Sequence, residues 1–499
     1  VFGYDIAAYS FARIFHEAIG VRSLVVAEAA RGPINDSRIL GVRLVPEGTC
    51  EDESAFLATL DSIAREHADE RLVLLVNTDE AVEFAAKNRS RLQRDWFLPY
   101  GSQAAVETAN SKAAMAGIVT AIGLSAPART RIDLEDPDAW KRELKGVRFP
   151  VVVKPERGSD LGAYWNQGLR KVLPIPTRPQ AYETFERWRR GGVRAPLIVQ
   201  ELIPGDDTVQ WVVNGYVDSR GEVTACGSGR VLLGLHQPEY LGNAGIVLTE
   251  HAPDLVEQAG RIVTTVGLRG FFSMDVKIDP RDGVPRWLDL NPRIGRGHYY
   301  LKVAGVDLAS AMLADMEGRE GVYQTNSREG LFCIVPAGLA NRRYIRDPEL
   351  RRRARRARRR AVNPLAYGAD RNMAHDRVAV RRIVCARVWR HRGGRRDGDG
   401  IGQRLFRAHR ALERHSEGGH HRVFRSPRWL SPWPFGSSGF RGSRSLSDRF
   451  MLRAPHIAYA AFCDDSWVAA SVGAVCEECH STKIYRFKET NPCNSQPRL

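Results

Sequence analysis

The chain has 499 residues, a length that allows two to four domains with cores of their own. Hydrophobic residues make up 43% of it, and no apolar run approaches the roughly 18 residues that a membrane-spanning helix requires. No charged segment followed by an apolar one precedes the first strand-like residues, so we expect a cytoplasmic protein.

The net charge of +16 is unevenly distributed along the chain. Residues 341–499 hold 35 Lys+Arg and 14 Asp+Glu, whereas residues 1–340 hold 39 and 44. All the excess positive charge therefore lies in the last third, and we expect no nucleic-acid partner for residues 1–340. Only three of the eight cysteines precede residue 340, which favours a reducing compartment over a disulfide framework.

Residues 1–100 alternate short apolar runs with one-faced helical segments. Residues 23–27 and 71–76 predict buried strands, and apolar residues at helical spacing over 56–64 predict a helix between them. A first helix over 6–18 is expected to stop at Gly20, and another is expected to begin near Thr78. The pattern predicts a small open-sheet α/β domain. Because no G-x-G-x-x-G follows its first strand, dinucleotide binding there has no support.

Residues 101–320 predict an α+β domain. We expect one helix over 104–120, strands at 151–153 and 197–199, antiparallel strands at 211–217 and 223–226, and helices near 181–190 and 255–266. Residues 271–278 and 286–290 predict a hairpin around the turn Pro280-Arg-Asp-Gly283.

Residues 321–375 predict a C-terminal helical extension, and 376–499 an Arg-rich tail. Eight arginines in 351–360 either bind RNA or anionic lipid, or form a solvated helix over the body of the protein. Residues 371–499 hold 22 Arg against two Lys, which favours a low-order segment or a shifted reading frame. In that setting Cys476-Glu-Glu-Cys479-His480 is interpreted as a chance match to a haem-attachment pattern.

Lys154 ends a Val-Val-Val strand and is followed by a loop of small residues, 157–162. Backbone N–H groups of such a loop close over phosphate oxygens, and a strand lysine facing it would complete a triphosphate clamp. The alternative is a lysine that leaves its strand for solvent.

Gln200-Glu201-Leu-Ile203 closes another apolar strand and continues to Asp207. An apolar hinge with free backbone groups suits a purine edge, and the carboxylate suits ribose hydroxyls. The alternative is a strand followed by a polar turn.

Asp275, Asp289 and Asn291 are the most specific constellation. Positions 289 and 291 lie two apart on a strand and so share a face, and the hairpin would bring Asp275 to it. Oxygen ligands of this kind suit one or two Mg²⁺ ions, and we favour metal binding over simple turn residues. Arg293 follows directly, where it would stabilise the charge of a phosphate in transfer.

The order and spacing of these motifs resemble the ATP-grasp superfamily. The resemblance covers residues 1 to about 370 and is strongest to the D-aspartate ligase-like group of carboxylate–amine ligases. It implies an ATP-grasp domain over 101–320, preceded by a pre-ATP-grasp α/β domain over 1–100.

The resemblance also implies roles for single residues. Arg293 and Lys154 would be catalytic, and Asp275, Asp289 and Asn291 would bind Mg²⁺, with Mn²⁺ as an alternative. The expected ATP-binding residues are Lys112, Lys154, Ser159, Gln200, Glu201, Ile203 and Asp207.

This sequence departs from the family pattern in three places. Asp289 stands where many members have Glu, and Ser111 stands where an Asp usually precedes the first lysine. Ser273 stands where D-alanine–D-alanine ligases place an arginine, which argues against that activity.

The implied activity is ATP- and Mg²⁺-dependent joining of a small-molecule carboxylate to an amine through an acylphosphate. D-Aspartate, or another amino acid, and a peptidoglycan-precursor amine are the candidate substrates. Two alternatives stay open: a nucleotide-binding but inactive protein of this fold, and a nucleic-acid-binding protein that acts through the basic tail.

Overall fold

The computed structural model describes residues 1–370 apart from 4, 30–33, 35–36, 159, 237–239 and 368–369. By its internal contacts the chain divides into two units, Val1–His420 and His421–Leu499, and every described residue lies in the first. The expected tail over 376–499, its cysteine–histidine pattern and Ser159 lie outside the described residues.

The first hundred residues form a parallel sheet with helices, as predicted. Phe2 bridges Val26 on one side and Val76 on the other, both in parallel register. The first two strands pair in parallel, and so do the next two. The elements are α1 (Ile6–Ile19), β1 (Ser23–Ala27), β2 (Leu40–Leu44), α2 (Glu53–Glu66), β3 (Leu72–Val73), α3 (Asp79–Lys87), α4 (Arg89–Leu92) and β4 (Trp96–Phe97).

Local capping explains where these helices begin and end. The Asp5 carboxylate accepts from the N–H of Ala7 at the start of α1, and Gly20 ends that helix with φ of 70°. Thr78 caps α3 through its hydroxyl, which accepts from the N–H of Ala81. The predicted stop at Gly20 and the predicted start near Thr78 are both confirmed.

An antiparallel four-stranded sheet follows, in the order β5-β8-β6-β7. Its strands and the neighbouring helices are α5 (Gln103–Asn110), α6 (Lys112–Ala121), β5 (Arg129–Ile132), α7 (Pro137–Lys145), β6 (Val151–Pro155), α8 (Asp160–Ala163), β7 (Leu173–Ile175), α9 (Arg178–Arg190) and β8 (Leu197–Glu201). The expectation of one helix over 104–120 was wrong. Ser111 takes an extended conformation and caps α6 by accepting from the N–H of Ala114, which divides the segment in two.

The remaining elements build a seven-stranded sheet in the order β13-β12-β9-β10-β11-β14-β15. They are β9 (Gln210–Val217), β10 (Val223–Gly234), β11 (Ala244–Leu248), α10 (Pro253–Val266), β12 (Gly270–Ile278), β13 (Pro285–Asn291), α11 (Tyr299–Ala304), α12 (Leu308–Met316), β14 (Leu331–Cys333), α13 (Pro348–Ala357) and β15 (Ala361–Val362). The β12–β13 hairpin confirms the predicted one, with Gly283 at φ of 73° in its turn. Strand β10 runs eight residues beyond the predicted end at Cys226.

The arginine-rich segment forms a helix packed on this sheet. In α13 the side chains of Leu350, Ala354 and Ala357 are buried in an apolar cluster, while most of its arginines are exposed. Of the two readings of this segment, the helix over the body is the one observed. The mixed α/β class expected from the sequence is confirmed, and no helix in the described part of the chain is long and apolar enough to cross a membrane.

Candidate active site

The β12–β13 hairpin brings the predicted metal ligands together. Asp275 lies directly opposite Asp289, and Ser273 lies opposite Asn291. A bulge at Leu288 adds one residue to β13, and beyond it Asp289 and Asn291 face the same side as Asp275. A strand without that bulge would turn Trp287 and Asp289 to the same face. The bulge therefore buries Trp287 and still keeps both oxygen-bearing side chains in the site.

The two facing carboxylates differ in their protonation behaviour. Burial, together with the like charge of Asp289, raises the pKa of Asp275 to about 6. For Asp289 burial acts in the same direction, but the ammonium groups of Lys154 and Lys112 outweigh it and hold the pKa well below the usual range. At neutral pH both side chains are thus anionic, with Asp275 the more easily protonated.

Lys154 extends from β6 into this cluster. Its ammonium Nζ lies 2.8 Å from Asp289 Oδ2, and only 6% of the residue is exposed. Lys112, the first residue of α6, donates from Nζ to the carbonyl of Glu156 at 3.0 Å, and burial lowers its pKa. The two predicted phosphate lysines therefore converge on the predicted metal ligands.

The predicted adenine and ribose residues lie beside β6. Gln200 on β8 is opposite Val152, so its buried side chain shares a sheet face with Lys154. Its Oε1 atom is buried and accepts no hydrogen bond from the described residues. Ile203 is also buried, whereas Glu201 forms an ion pair with Arg281 at 2.6 Å.

Asp207 lies between β8 and β9, where neighbouring groups orient its carboxylate. Its carboxylate accepts from the N–H of Gly234 at 2.8 Å and contacts His236 Nε2 at 2.9 Å. Burial opposes ionisation, but these partners keep the pKa of Asp207 below its usual value. The group is thus an oriented anion near the predicted nucleotide hinge.

Two ion pairs join the N-terminal sheet to this site, and the sequence alone did not predict them. Arg293 Nε lies 2.6 Å from Asp79 Oδ1, and Arg296 Nε lies 2.6 Å from Asp5 Oδ2. Asp5 and Asp79 each follow the carboxyl end of a parallel strand, which is where open sheets place ligand-binding loops. That position was a usable signal. Lys171 was missed as well: it is exposed, and its positive charge opposes the rise in the pKa of Asp275.

Gly158, in the loop of residues 157–162 that follows β6, also approaches the N-terminal sheet. A Cβ added at Gly158 would come within 2.1 Å of Asp79 Oδ2, so only glycine lets the loop lie this close. The neighbouring Ser159 lies outside the described residues, and its role stays a prediction.

The side-chain oxygen atoms of Asp275, Asp289 and Asn291 are suitable ligands for a divalent cation. Asp289 Oδ1 is buried and accepts no hydrogen bond from the described residues, and Asp275 lies directly opposite Asp289 on the neighbouring strand. No group of three or more His, Cys, Asp and Glu with the spacing of a metal site occurs in the described ranges, because this set has two carboxylates and one amide. Such a sparse set suits Mg²⁺, which commonly takes further ligands from phosphates and water.

The chain is similar in sequence to a curated ligase. No family model matches the chain. The chain is 26% identical over 319 residues to D-aspartate ligase of Enterococcus faecium (strain Aus0004), which covers 63% of this chain and 75% of that protein.

The chain is also similar to solved structures. L-amino acid ligase from Bacillus licheniformis has a TM-score of 0.45 and 16% identity, over 63% of this chain and 73% of its own. The N5-carboxyaminoimidazole synthetase of Staphylococcus aureus complexed with ADP has a TM-score of 0.49 and 12% identity, over 66% and 80%. This chain is therefore similar in sequence to D-aspartate ligase, and the order of its motifs agrees with that similarity.

Proposed function

We propose that this protein is an ATP- and Mg²⁺-dependent ligase that joins a carboxylate to an amine, built on an ATP-grasp domain with a pre-ATP-grasp domain before it. One observation carries the proposal. Lys154 from one sheet is ion-paired over 2.8 Å to Asp289 from the other, in a cluster with Asp275, Asn291 and Lys112. Burying a lysine beside two carboxylates costs free energy of desolvation, so such a cluster indicates a binding site for a charged ligand.

The proposed nucleotide-binding residues divide into three groups by the part of ATP that they would hold. Lys112 and Lys154 would bind ATP phosphates, and Ser159 would close over them. Gln200, Glu201 and Ile203 would frame adenine, where the free Oε1 of buried Gln200 supplies an acceptor. Asp207 would accept from a ribose hydroxyl.

Asp275, Asp289 and Asn291 would bind the metal, Mg²⁺ or alternatively Mn²⁺. The bound metal would neutralise phosphate charge as it develops. Because the Lys154 ammonium now occupies Asp289 Oδ2, we expect Lys154 to exchange this carboxylate for a phosphate oxygen when nucleotide and metal enter.

The reaction would proceed in two displacements. An oxygen of the donor carboxylate attacks the γ-phosphorus of ATP, the bond to the bridging oxygen breaks, and ADP leaves with an acylphosphate formed. The amine then attacks the acyl carbon, inorganic phosphate departs, and the amine loses a proton as the amide forms. Lys154 and Arg293 serve by position and charge, and neither forms a covalent bond.

We infer that D-aspartate is the first candidate for the carboxylate donor, because the curated relative is a D-aspartate ligase. A peptidoglycan-precursor amine is the corresponding candidate acceptor, and both substrates would be met in the cytoplasm. Asp5, Asn77 and Arg296 line the predicted site on the side of the N-terminal sheet, where Asn77 Nδ2 donates to Asp5 Oδ1 at 2.7 Å. These groups suit the polar ends of an amino acid.

The test is ADP release by the full chain from ATP and Mg²⁺, with a panel of amino acids that includes D-aspartate. One acid should stimulate release, and Asp289→Asn should reduce it by about 100-fold or more, since a metal ligand and the partner of Lys154 are lost together. Asp254→Asn, an exposed aspartate in the first turn of α10, is the matched control and should behave as wild type.

Two other results would contradict the proposal. ATP binding without release for any acid would favour the nucleotide-binding but inactive alternative. Binding of nucleic acid with no ATP binding at all would favour the alternative that acts through the basic tail.

A further inference from the structure

A cavity of about 310 Å³ lies where the segment around β4 meets the start of β12. Trp96 and Pro99 form part of its wall, and Arg89, Arg269 and Asp315 bring charged groups to it. Gly270 is in the lining, five residues before Asp275 on β12, so the cavity lies roughly 17 Å along the strand from the metal cluster. It is separate from the site described above.

The two guanidinium groups in the cavity are oriented but not neutralised. Arg89 donates from one terminal nitrogen to the carbonyl of Tyr100 at 2.7 Å. Arg269 donates to the carbonyls of Ser219 at 3.1 Å and Leu268 at 2.8 Å. Among the residues that the structure describes, no carboxylate forms an ion pair with either of them.

The carboxylate in the cavity is held in the same manner. Asp315 accepts from the hydroxyl of Tyr216 at 2.7 Å and from the N–H of Ser219 at 3.0 Å, and both donors are neutral. No lysine or arginine within the described ranges forms an ion pair with it. Burial lowers the pKa of Arg89, and the charge of Asp315 opposes that shift only in part. The cavity thus holds two positive groups and one negative group, none of which forms an ion pair within the part of the chain that the structure describes.

The walls of the cavity are closely fixed by backbone geometry. Gly270 has φ of 80°, and a Cβ there would come within 1.5 Å of the carbonyl oxygen of Pro99. Gly221 has φ of 100°, and a Cβ there would meet a terminal nitrogen of Arg269 at 2.7 Å. A larger residue at Gly270 is excluded by the backbone of Pro99, and the carbonyls of Ser219 and Leu268 hold the guanidinium of Arg269 before any ligand arrives.

We propose that this cavity is a second binding site, for an acidic α-amino acid. The two carboxylates of such a ligand pair with Arg89 and Arg269, and its ammonium group pairs with Asp315. Trp96 and Pro99 cover the short carbon chain. Two negative charges and one positive charge balance the three unpaired groups, which neither a simple anion nor a neutral amino acid does. Charge-assisted hydrogen bonds from a partly desolvated guanidinium are the strong ones.

Equilibrium dialysis of the full chain with labelled L- and D-aspartate and L-glutamate, without ATP, tests this inference. We expect Arg89→Gln and Arg269→Gln each to remove one bound amino acid per chain. Arg94→Gln is the matched control, because Arg94 is exposed on the same segment and does not line the cavity. Counting sites keeps the result independent of any amino acid bound in the ATP cleft.

A second measurement addresses the ammonium group. Succinate has both carboxylates and no amine, so it should compete at least about 10-fold more weakly than the amino acid that binds. An unchanged stoichiometry in both arginine variants would overturn the site, and equal competition by succinate would overturn the assignment of an amino acid. ADP release by the same variants shows that they are folded and active. Loss of binding with release retained would support the second site, and an absence of release in every protein would count only against the proposed ligase activity.

Discussion

Arg293 Nε donates to Asp79 Oδ1 over 2.6 Å, although 214 positions separate the two residues in the chain. The pair joins the first turn of α3 to the loop after β13, and each side chain is about one-fifth exposed. If Arg293 acts on a phosphate, as we propose, the carboxylate of Asp79 competes with that phosphate for the guanidinium.

Asp79→Asn should therefore strengthen ATP binding. Removing the competing charge of a partly exposed pair is worth about 1 kcal/mol, or roughly a fivefold lower dissociation constant. Calorimetric titration with ATP and Mg²⁺ measures it. Asp138→Asn, also in the first turn of a helix but exposed, is the control. An unchanged constant for Asp79→Asn would mean that Arg293 does not reach the nucleotide.

Asp207 should make the protein distinguish ATP from 2′-deoxy-ATP. The oriented carboxylate would accept from the ribose 2′-hydroxyl, and losing such a bond costs roughly tenfold in affinity. In Asp207→Asn the ratio of the dissociation constants of 2′-deoxy-ATP and ATP should fall close to one. The amide oxygen of the new side chain can still accept from the N–H of Gly234. Competition binding with the two nucleotides gives the ratio, and no preference in the wild type would exclude the ribose role.

His298 should make the protein less stable as the pH falls. Its imidazole is buried, Nδ1 accepts from the N–H of Gly295 at 3.0 Å, and burial lowers its pKa to about 3. Between pH 6.5 and 3 the imidazole is protonated in the unfolded chain, where its pKa is 6.5, but not in the folded chain. The free energy of unfolding therefore falls as the pH falls through this range.

The size of this effect follows from linkage. From pH 6.5 to 5 the single group should lower the free energy of unfolding by about 2 kcal/mol. Urea unfolding of wild type and His298→Gln at the two pH values isolates it. The variant should be less stable at both, with a correspondingly smaller change between them. Equal changes in the two proteins would assign the acid sensitivity to other groups.

Two truncations should differ sharply in stability. A cut after residue 345 removes α13, which buries Leu350 and pairs Arg353 with Glu250 and Glu329. Removing the side chain of a buried leucine alone lowers the free energy of unfolding by roughly 2–5 kcal/mol. We therefore expect this fragment to melt at a much lower temperature or not to fold. A cut after residue 375 retains α13 and Asp370, which accepts from Tyr9. Circular dichroism measures the thermal unfolding of both fragments. Equal melting temperatures would contradict this prediction.

What the sequence determined alone was local. The stop of α1 at Gly20, the start of α3 at Thr78 and the β12–β13 hairpin depend on caps, turns and period, which neighbouring residues set. The common face of Asp289 and Asn291 follows from their spacing of two. Their grouping with Asp275 was predictable because one tight turn connects the two strands.

What the tertiary structure decided was long-range or depended on packing. Lys154 and Asp289 are 135 positions apart, and no spacing rule brings two strands of different sheets together. The same holds for the partners of Arg293 and Arg296 on the N-terminal sheet. The burial of one face of α13 depended on packing against other elements, whereas the division of the expected helix at Ser111 follows from a local N-cap that the prediction of one helix overlooked. Local patterns name the groups, whereas burial and charge pairing between distant segments decide which of them meet.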